Sequence, residues 1–420
     1  MSPEQIKVLY VCPYAHYPGH FPAAALHETQ ALAQAGAGVM LLTSWGIIGE
    51  EQLKVPLLVV FPRNRYTVPL RYLADFFRKW ALSLWLLMFF EAFITLSKAV
   101  WLKRKFNYDI IHLRDGEPFL FLPHLLGLPF RGYNWLISLT ASNIYTPSTK
   151  NFQLRIYAAV VKFINSGLWR PLYRASLARN SFVFITQNAK AQRDYSSYLQ
   201  GVFDGKVIYL PLGADRVKNV ILKENARRYF SLPQDRVILL SFGAPHTGKD
   251  MEIIFCAIKE IPNIYLVHAG SYRFGLGVNL MDLAEKYPIL DRVLIKNHYI
   301  PEEEKPYYFF AADAVILSYT KQFLSTTSLL WDACRFGIPV IASDNSQLKE
   351  LVETFRMGLL FSAQDADSLK QAIQRFMELE PEEIETLKDN CHRFANEFSM
   401  GTWAQKCLEI YQVLLSNKTL

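Results

Sequence analysis

Residues 323–344 decide the expected fold of the second half of the chain, and they read FLSTTSLLWDACRFGIPVIASD. The hydroxyl residues at 325–328 suit a helix start, and Gly337 suits its end because glycine adopts the left-handed conformation easily. The apolar positions between them fall on one helix face: Leu329, Leu330, Ala333 and Cys334. The pattern predicts a loop, a helix and a buried strand. Free backbone N–H groups at such a helix start favour an anion.

The same segment resembles the C-terminal-domain motif of family 4 retaining glycosyltransferases of the GT-B fold. That motif has two glutamates eight residues apart, followed by Gly-x-Pro-Val-Ile. In this chain Gly337 opens the matching Gly-Ile-Pro-Val-Ile, and Asp332 stands at the second glutamate. The first glutamate falls on Leu324, or on Gln322 if the loop is two residues longer. The resemblance implies an α/β fold of the GT-B type, with two Rossmann-like domains facing a central cleft. It extends over essentially the whole chain, with its clearest motifs at 211–215, 243–249 and 323–344.

Two series of alternating strand and helix patterns support this architecture. The first series begins with a strand at 6–12, and the second begins with a strand at 236–242. With the resemblance, they predict an N-terminal acceptor and membrane domain, a C-terminal nucleotide-sugar domain, and a terminal helix that packs back on the first domain. The predicted bounds are 1–217, 218–397 and 398–420.

Lys249 is the candidate cation for a departing diphosphate. It follows Gly243 by six residues, as the phosphate lysine does in the family's Gly-Arg-(x)4-Lys turn, and an exposed lysine in a first helical turn is the alternative. Ala244 replaces the arginine of that turn. Three nearby polar residues are candidates to share its work: His246, Thr247 and Arg273.

The start of the predicted helix supplies further donor-site candidates. Backbone N–H groups there would meet the diphosphate, although a plain helix cap needs the same residue types. Asp332 would accept a hydrogen bond from the ribose, as the family's second glutamate does; a surface aspartate beside Arg335 is the alternative. The backbone candidates are Ser325, Thr326, Thr327 and Ser328. Lys249 and Asp332 are thus the predicted catalytic residues.

The first domain offers weaker candidates. Gly19 resembles the glycine of the loop after the first strand that approaches the phosphates, although a Pro-Gly pair is also an ordinary turn. No histidine follows the strand at 134–139, where many relatives have one, so the sequence identifies no base. In same-face substitution the departing phosphate oxygen can itself take the proton of the acceptor. The acceptor-side candidates are His16 and His20, and Arg114 or Asp115, for which a loop salt bridge is the alternative.

Charge is distributed unevenly along the chain. Residues 1–218 hold 24 basic and 12 acidic residues, a net charge of +12, and the other 202 hold 21 and 26, a net charge of −5. An anionic membrane surface or acceptor explains this asymmetry, and a solvated basic face is the alternative. Five cysteines without a C-x-x-C pair predict neither a disulfide framework nor a zinc site.

Residues 80–102 are apolar and long enough to span a bilayer, yet Glu91, Thr95 and Lys98 form a polar stripe along one side. A single crossing would also separate the strand at 108–112 from the strand at 7–11. We therefore expect a peripheral helix, flanked by basic residues, at the cytoplasmic face of a membrane, with a spanning helix as the alternative.

These observations predict a retaining glycosyltransferase. Its donor would be a nucleotide-diphosphate sugar and its acceptor a lipid-linked molecule or an envelope polysaccharide, with an anionic membrane surface as a further partner. No cofactor, metal or nucleic acid is expected. Two alternatives stay open: a non-catalytic relative, which Leu324 and Ala244 favour, and a nucleotide-sugar epimerase of the same fold.

Overall fold

The computed structural model describes residues 5–17, 20–62, 81–115, 133–139, 181–199, 207–246, 248–271, 279–321, 323 and 327–416. The chain forms two compact units. The first comprises Met1–Pro211 with Met400–Leu420, and the second comprises Leu212–Ser399.

In the first unit the described strands form one parallel sheet of seven strands, in the order β3-β2-β1-β4-β5-β6-β7. Its elements are β1 (Lys7–Val11), α1 (His20–Gln34), β2 (Gly38–Thr43), β3 (Leu57–Val59), α2 (Ala81–Phe106), β4 (Ile110–Leu113), β5 (Asn134–Leu139), β6 (Ser181–Thr186), α3 (Ala189–Leu199) and β7 (Val207–Tyr209).

In the second unit the described strands form a parallel sheet of six strands, in the order β10-β9-β8-β11-β12-β13. Its elements are α4 (Lys223–Tyr229), β8 (Val237–Phe242), α5 (Met251–Ile258), β9 (Ile264–Ala269), α6 (Leu280–Lys286), β10 (Val293–Lys296), α7 (Lys305–Ala311), β11 (Ala314–Leu317), α8 (Ser328–Phe336), β12 (Val340–Ser343), α9 (Ser346–Phe355), β13 (Gly358–Phe361), α10 (Ala366–Met377) and α11 (Pro381–Glu397). The chain then returns to the first unit as α12 (Met400–Ser416).

Each sheet carries a core on both of its faces, because successive side chains of a strand point to opposite sides. In β1, Leu9 and Val11 join the core that α2 covers, and Val8 and Tyr10 join the core that α1 and α12 cover. In β8, Leu240 packs with α7 and α8, whereas Leu239 packs with α5 and α10. Burial on both faces explains the nearly continuous apolar runs of these strands.

Helix α2 corresponds to the apolar segment at 80–102, and two of the three residues of its polar stripe face the protein, whereas Lys98 lies beside exposed Trp101. Glu91 and Thr95 are buried, while Phe90 and Trp101 are exposed. The residues that pack into the first unit are Ala92, Leu96, Ala99 and Leu102. None of the helices in the described residues is long and apolar enough to cross a membrane. Strand β1, which precedes α2 in the chain, pairs directly with β4, which follows α2.

Candidate functional site

The second sheet changes its winding direction between β8 and β11. The chain passes from β8 to β9 and β10 on one side, and from β11 to β12 and β13 on the other. In open parallel sheets, ligands bind outside the carboxyl ends of the strands at such a switch point. Gly243 follows β8 and Ser318 follows β11, so the predicted Gly243–Lys249 turn lies at this place.

The turn after β8 is tied to the end of β11 by backbone hydrogen bonds. Lys249 and Tyr319 form an antiparallel bridge. The N–H of Thr320 donates to the carbonyl of Gly248 at 3.0 Å, and the N–H of Asp250 donates to the carbonyl of Ser318 at 3.0 Å. The position of Lys249 is therefore fixed by the fold.

The ammonium group of Lys249 points back to the end of β8. Its Nζ donates to the carbonyl oxygen of Phe242 at 2.6 Å and to that of Gly243 at 3.3 Å. Gly243 has a φ of 82°, and a Cβ added there would lie 3.4 Å from Nζ. Burial lowers the pKa of Lys249 to about 7. Within the described residues no carboxylate lies within 4 Å of Nζ, so none of them neutralises the charged form of this lysine.

Two glycines let the strand ends approach each other beside this lysine. Gly270 follows β9, and a Cβ there would lie 2.5 Å from the backbone carbon of Gly243. Any side chain at Gly270 would therefore displace the backbone that accepts the hydrogen bonds of Lys249.

His246, a predicted helper of Lys249, does lie in the same turn. Its Nδ1 accepts a hydrogen bond from the N–H of Gly248 at 3.0 Å. Burial, and secondarily the charge of Lys249, lower the pKa of His246 to about 4. The ring is therefore neutral near pH 7, and its proton sits on Nε2, where it can be donated to a ligand.

Helix α8 begins and ends where the sequence predicts. The Thr327 hydroxyl oxygen accepts from the N–H of Leu329 at 3.3 Å and lies 2.5 Å from the hydroxyl of Tyr319. Ser328 is the first helical residue, and Gly337 ends the helix with a φ of 70°. The link to Tyr319 brings the helix start to the residue that bridges Lys249.

Asp332 lies one turn into α8 and is already paired. Its carboxylate is 3.5 Å from Lys305 Nζ and 3.6 Å from Arg335 Nη1. Glu302 pairs with the same two basic residues: its carboxylate lies 2.5 Å from Lys305 Nζ and 3.9 Å from Arg335 Nη1. Lys305 also stands 5.8 Å from the ring centre of Phe242, at the end of β8. A ribose hydroxyl would therefore have to share Asp332 with two cations, of which the sequence suggested only Arg335.

The first sheet has its own switch point, between β1 and β4. Arg114 directly follows β4 and is only 2% exposed. Its Nη1 lies 3.2 Å from Glu28, and its Nε lies 3.8 Å from Asp115. Burial alone would lower the pKa of Arg114, but these two carboxylates more than offset it and raise the pKa. Arg114 and Asp115 therefore fit the salt-bridge alternative better than contact with an acceptor.

His16 lies in the loop after β1 and contacts a buried carboxylate. Its Nδ1 is 3.2 Å from Ser44 Oγ, and its Nε2 is 3.5 Å from Glu91. Glu91 also accepts hydrogen bonds from Tyr17 at 3.0 Å and Trp45 at 2.7 Å. This cluster was not predicted, because periodicity identifies a polar stripe without showing which way its side chains face.

Several predicted residues lie outside the described part of the chain. His20 begins α1, but its side chain is not among those described. The others are Gly19, Thr247, Arg273, Ser325 and Thr326. Among the described residues, no group of three or more His, Cys, Asp or Glu has a geometry that could hold a metal ion.

A family model described as glycosyl transferases group 1 matches residues 223–395. The matched range contains the turn at Lys249, the α8 helix and Asp332. These residues therefore form a glycosyl transferases group 1 domain. Among curated proteins, none matches the chain significantly.

Solved structures match nearly the whole chain at low sequence identity. Sucrose-phosphate synthase from Thermosynechococcus elongatus has a TM-score of 0.72 and 20% identity, over 99% of this chain and 100% of that one. HepE from Anabaena, in complex with UDP and glucose, has a TM-score of 0.65 and 15% identity over 96% and 99%. WaaG, a glycosyltransferase involved in lipopolysaccharide biosynthesis, has a TM-score of 0.61 and 12% identity over 96% and 99%. The chain has the fold of GT-B glycosyltransferases: two α/β domains, each with a parallel sheet.

Proposed function

We propose that this protein is a retaining glycosyltransferase that transfers a sugar from a nucleotide-diphosphate sugar to a lipid-linked or envelope-polysaccharide acceptor at the cytoplasmic face of a membrane. One observation carries the donor half of this proposal. Lys249 places an amine that can take up a proton at the switch point of its sheet, and no carboxylate of the described residues lies close enough to neutralise its charged form. A diphosphate supplies the missing charge.

The chemistry follows from where charge develops. When the bond between the sugar and the diphosphate breaks, negative charge grows on the departing phosphate oxygen, and Lys249 stabilises it. The N–H groups at the start of α8 reinforce this effect through the helix dipole. The departing oxygen takes the proton of the acceptor hydroxyl on the same face, so the sugar keeps its anomeric configuration. We include no metal and no cofactor in this mechanism.

Helix α2 supports the membrane half of the proposal. Its outward side exposes Phe90, Trp101 and Phe106, which are 55%, 46% and 52% exposed. Lys98 Nζ lies 4.1 Å and Lys105 Nζ 4.9 Å from the ring centre of Trp101. Aromatic rings interleaved with lysines suit the interface of an anionic membrane, where each basic residue contributes about 1 kcal/mol.

A thermal-shift panel tests the donor half. A true ligand present at about one hundred times its Kd stabilises the protein by about 2.7 kcal/mol, which raises the Tm of a domain of this size by roughly 5–10 °C. UDP, ADP and GDP are compared with the matching monophosphates, which lack the second phosphate. We expect at least one diphosphate to stabilise the protein more than its monophosphate. No shift with any nucleotide would favour the non-catalytic alternative.

Turnover separates an enzyme from a nucleotide-binding relative. The stabilising nucleotide is supplied as its sugar conjugate, together with membrane lipids or polysaccharide as acceptor, and release of the nucleoside diphosphate is measured. The anomeric configuration of the product is then read by NMR. Retention agrees with the proposal, and inversion would exclude the same-face mechanism.

A further inference from the structure

The hydrogen bonds of Lys249 match a neutral amine. A neutral amine carries two hydrogens, and an ammonium carries three. Nζ has two acceptors, the carbonyl oxygens of Phe242 and Gly243. Among the residues that the structure describes, no third acceptor lies within hydrogen-bonding distance of Nζ. The site thus satisfies the uncharged lysine fully and leaves the third N–H of the charged lysine without a partner.

Two histidines lie near Lys249, and neither can neutralise its charged form. His268 on β9 is fully buried, and its Nδ1 lies 3.1 Å from Ser241 Oγ. Burial, and secondarily the charge of Lys249, lower the pKa of His268 to about 3. Burial and Lys249 likewise lower the pKa of His246. Both rings are therefore neutral near pH 7.

The other titratable groups around the turn do not neutralise the charged form of Lys249 either. Burial raises the pKa of Tyr319 to about 12, so its hydroxyl is neutral. Lys305, near the Phe242 ring, is itself positive and is paired with Glu302 and Asp332. The carboxylate of Asp250 lies more than 4 Å from Nζ. This environment explains why burial lowers the pKa of Lys249 to about 7.

We propose that a nucleoside diphosphate enters this site together with one proton, which Lys249 takes from the solvent. The inference rests on the proposed function and adds to it how the binding of the donor depends on pH. The amine lone pair accepts a solvent proton, and the new N–H donates to a phosphate oxygen of the ligand. The proton leaves again when the nucleoside diphosphate is released.

Calorimetry at pH 8 measures this proton directly. The full chain is titrated with the nucleoside diphosphate that stabilises it most, in two buffers of different ionisation enthalpy. With a pKa of about 7, the free lysine is about 0.9 deprotonated at pH 8, so binding takes up about 0.9 proton. The matched control is Lys249→Arg, because a guanidinium keeps its charge and takes up almost no proton.

A second measurement needs no variant. Between pH 8 and 9 the phosphates of the ligand no longer titrate, so the affinity of the wild type should fall about tenfold over this range. An affinity that stays flat over this range, or equal proton uptake by wild type and Lys249→Arg, overturns the inference while the proposed function stands. If no nucleoside diphosphate binds, the proposed function fails with it.

Discussion

Both sheets place a basic group at the carboxyl end of a strand at their switch point, yet the two groups have opposite surroundings. Arg114 in the first unit is buried against Glu28 and Asp115. Lys249 in the second unit has two carbonyl oxygens and no carboxylate of the described residues. A buried charge needs a partner. The first unit supplies that partner from its own chain, and in the second, under the proposed function, a ligand supplies it.

The comparison predicts the largest effect for Arg114→Met. This change removes the cation that Glu28 and Asp115 share, and breaking a buried ion pair by removing one partner costs about 3–5 kcal/mol. Urea unfolding of the two variants Arg114→Met and Lys249→Met provides the test. We expect only the first to be destabilised. If Arg114→Met is as stable as the wild type, the ion pairs of the first unit are not structural and the contrast disappears.

The next effect concerns catalysis. Lys249→Ala should lower kcat/KM by roughly 10²–10³, because one electrostatic contact to the developing charge is lost. The folded state should persist, since no ion pair within the described chain depends on Lys249. Lys259→Ala, a change at an exposed lysine just beyond α5, is the control and should keep full activity. Unchanged turnover of Lys249→Ala would remove this lysine from the phosphate site.

Asp332 combines features of Arg114 and Lys249. It forms ion pairs within the chain, as Arg114 does, and it is a candidate to bind the nucleotide, as Lys249 is. If it holds the ribose, Asp332→Ala should weaken nucleoside diphosphate binding by about 1.5–3 kcal/mol, the range for a hydrogen bond to a charged group. The control is Glu302→Ala, which removes the other carboxylate that pairs with Lys305 and Arg335. Equal loss in both variants by calorimetry would mean that Asp332 acts only through these ion pairs.

The pKa of Lys249 predicts a smaller effect on stability. Because folding lowers this pKa from 10.5 to about 7, the folded state binds fewer protons than the unfolded state between these values. The cost of burying charged Lys249 therefore destabilises the ligand-free protein. This cost is fully present below pH 7 and decreases as the pH rises towards 10. Lys249→Met should stabilise the protein more at pH 6 than at pH 9, by about 1–3 kcal/mol after allowing for partial exposure. Thermal unfolding at the two pH values measures the difference, and a gain independent of pH would contradict it.

The smallest effect concerns the cations of the first unit that lie on the surface of α2 rather than at the strand ends. Changing Lys103, Arg104 and Lys105 to Ala should reduce co-sedimentation with anionic liposomes, at about 1 kcal/mol for each residue in contact. The attraction should weaken with salt. A triple change at lysines of the second unit, Lys349, Lys370 and Lys388, should leave sedimentation unchanged. If the wild type ignores anionic liposomes at low salt, a soluble acceptor becomes the better proposal.

The sequence was sufficient to predict those elements that a short local pattern of residues determines. The apolar runs of β8 and β12 and the Gly337 stop of α8 are encoded within a few residues each, and the structure has them at the predicted places. Helix α11 and strand β13 were not predicted from the sequence. The partners across the fold were also missed, because Lys305 meets Asp332 only after the chain has passed through β11.

The sequence also could not show that the Glu91 side chain points into the protein. Glu91, Thr95 and Lys98 share a stripe by spacing alone, but only the tertiary structure shows that Glu91 collects hydrogen bonds from Tyr17 and Trp45. A similar limit applies to Arg114 and Lys249. Both are basic residues near the end of a strand, and only their neighbours distinguish the ion pairs of Arg114 from the carbonyl contacts of Lys249.

The central claim is that Lys249 lacks a counter-charge because a nucleoside diphosphate provides it. The most direct measurement is the calorimetric affinity of wild type and Lys249→Ala for the nucleoside diphosphate that stabilises the protein most. The account predicts that the variant binds about 10- to 100-fold more weakly, which corresponds to the loss of a hydrogen bond to a charged group. Equal affinity of the two proteins, with the variant folded, would contradict it.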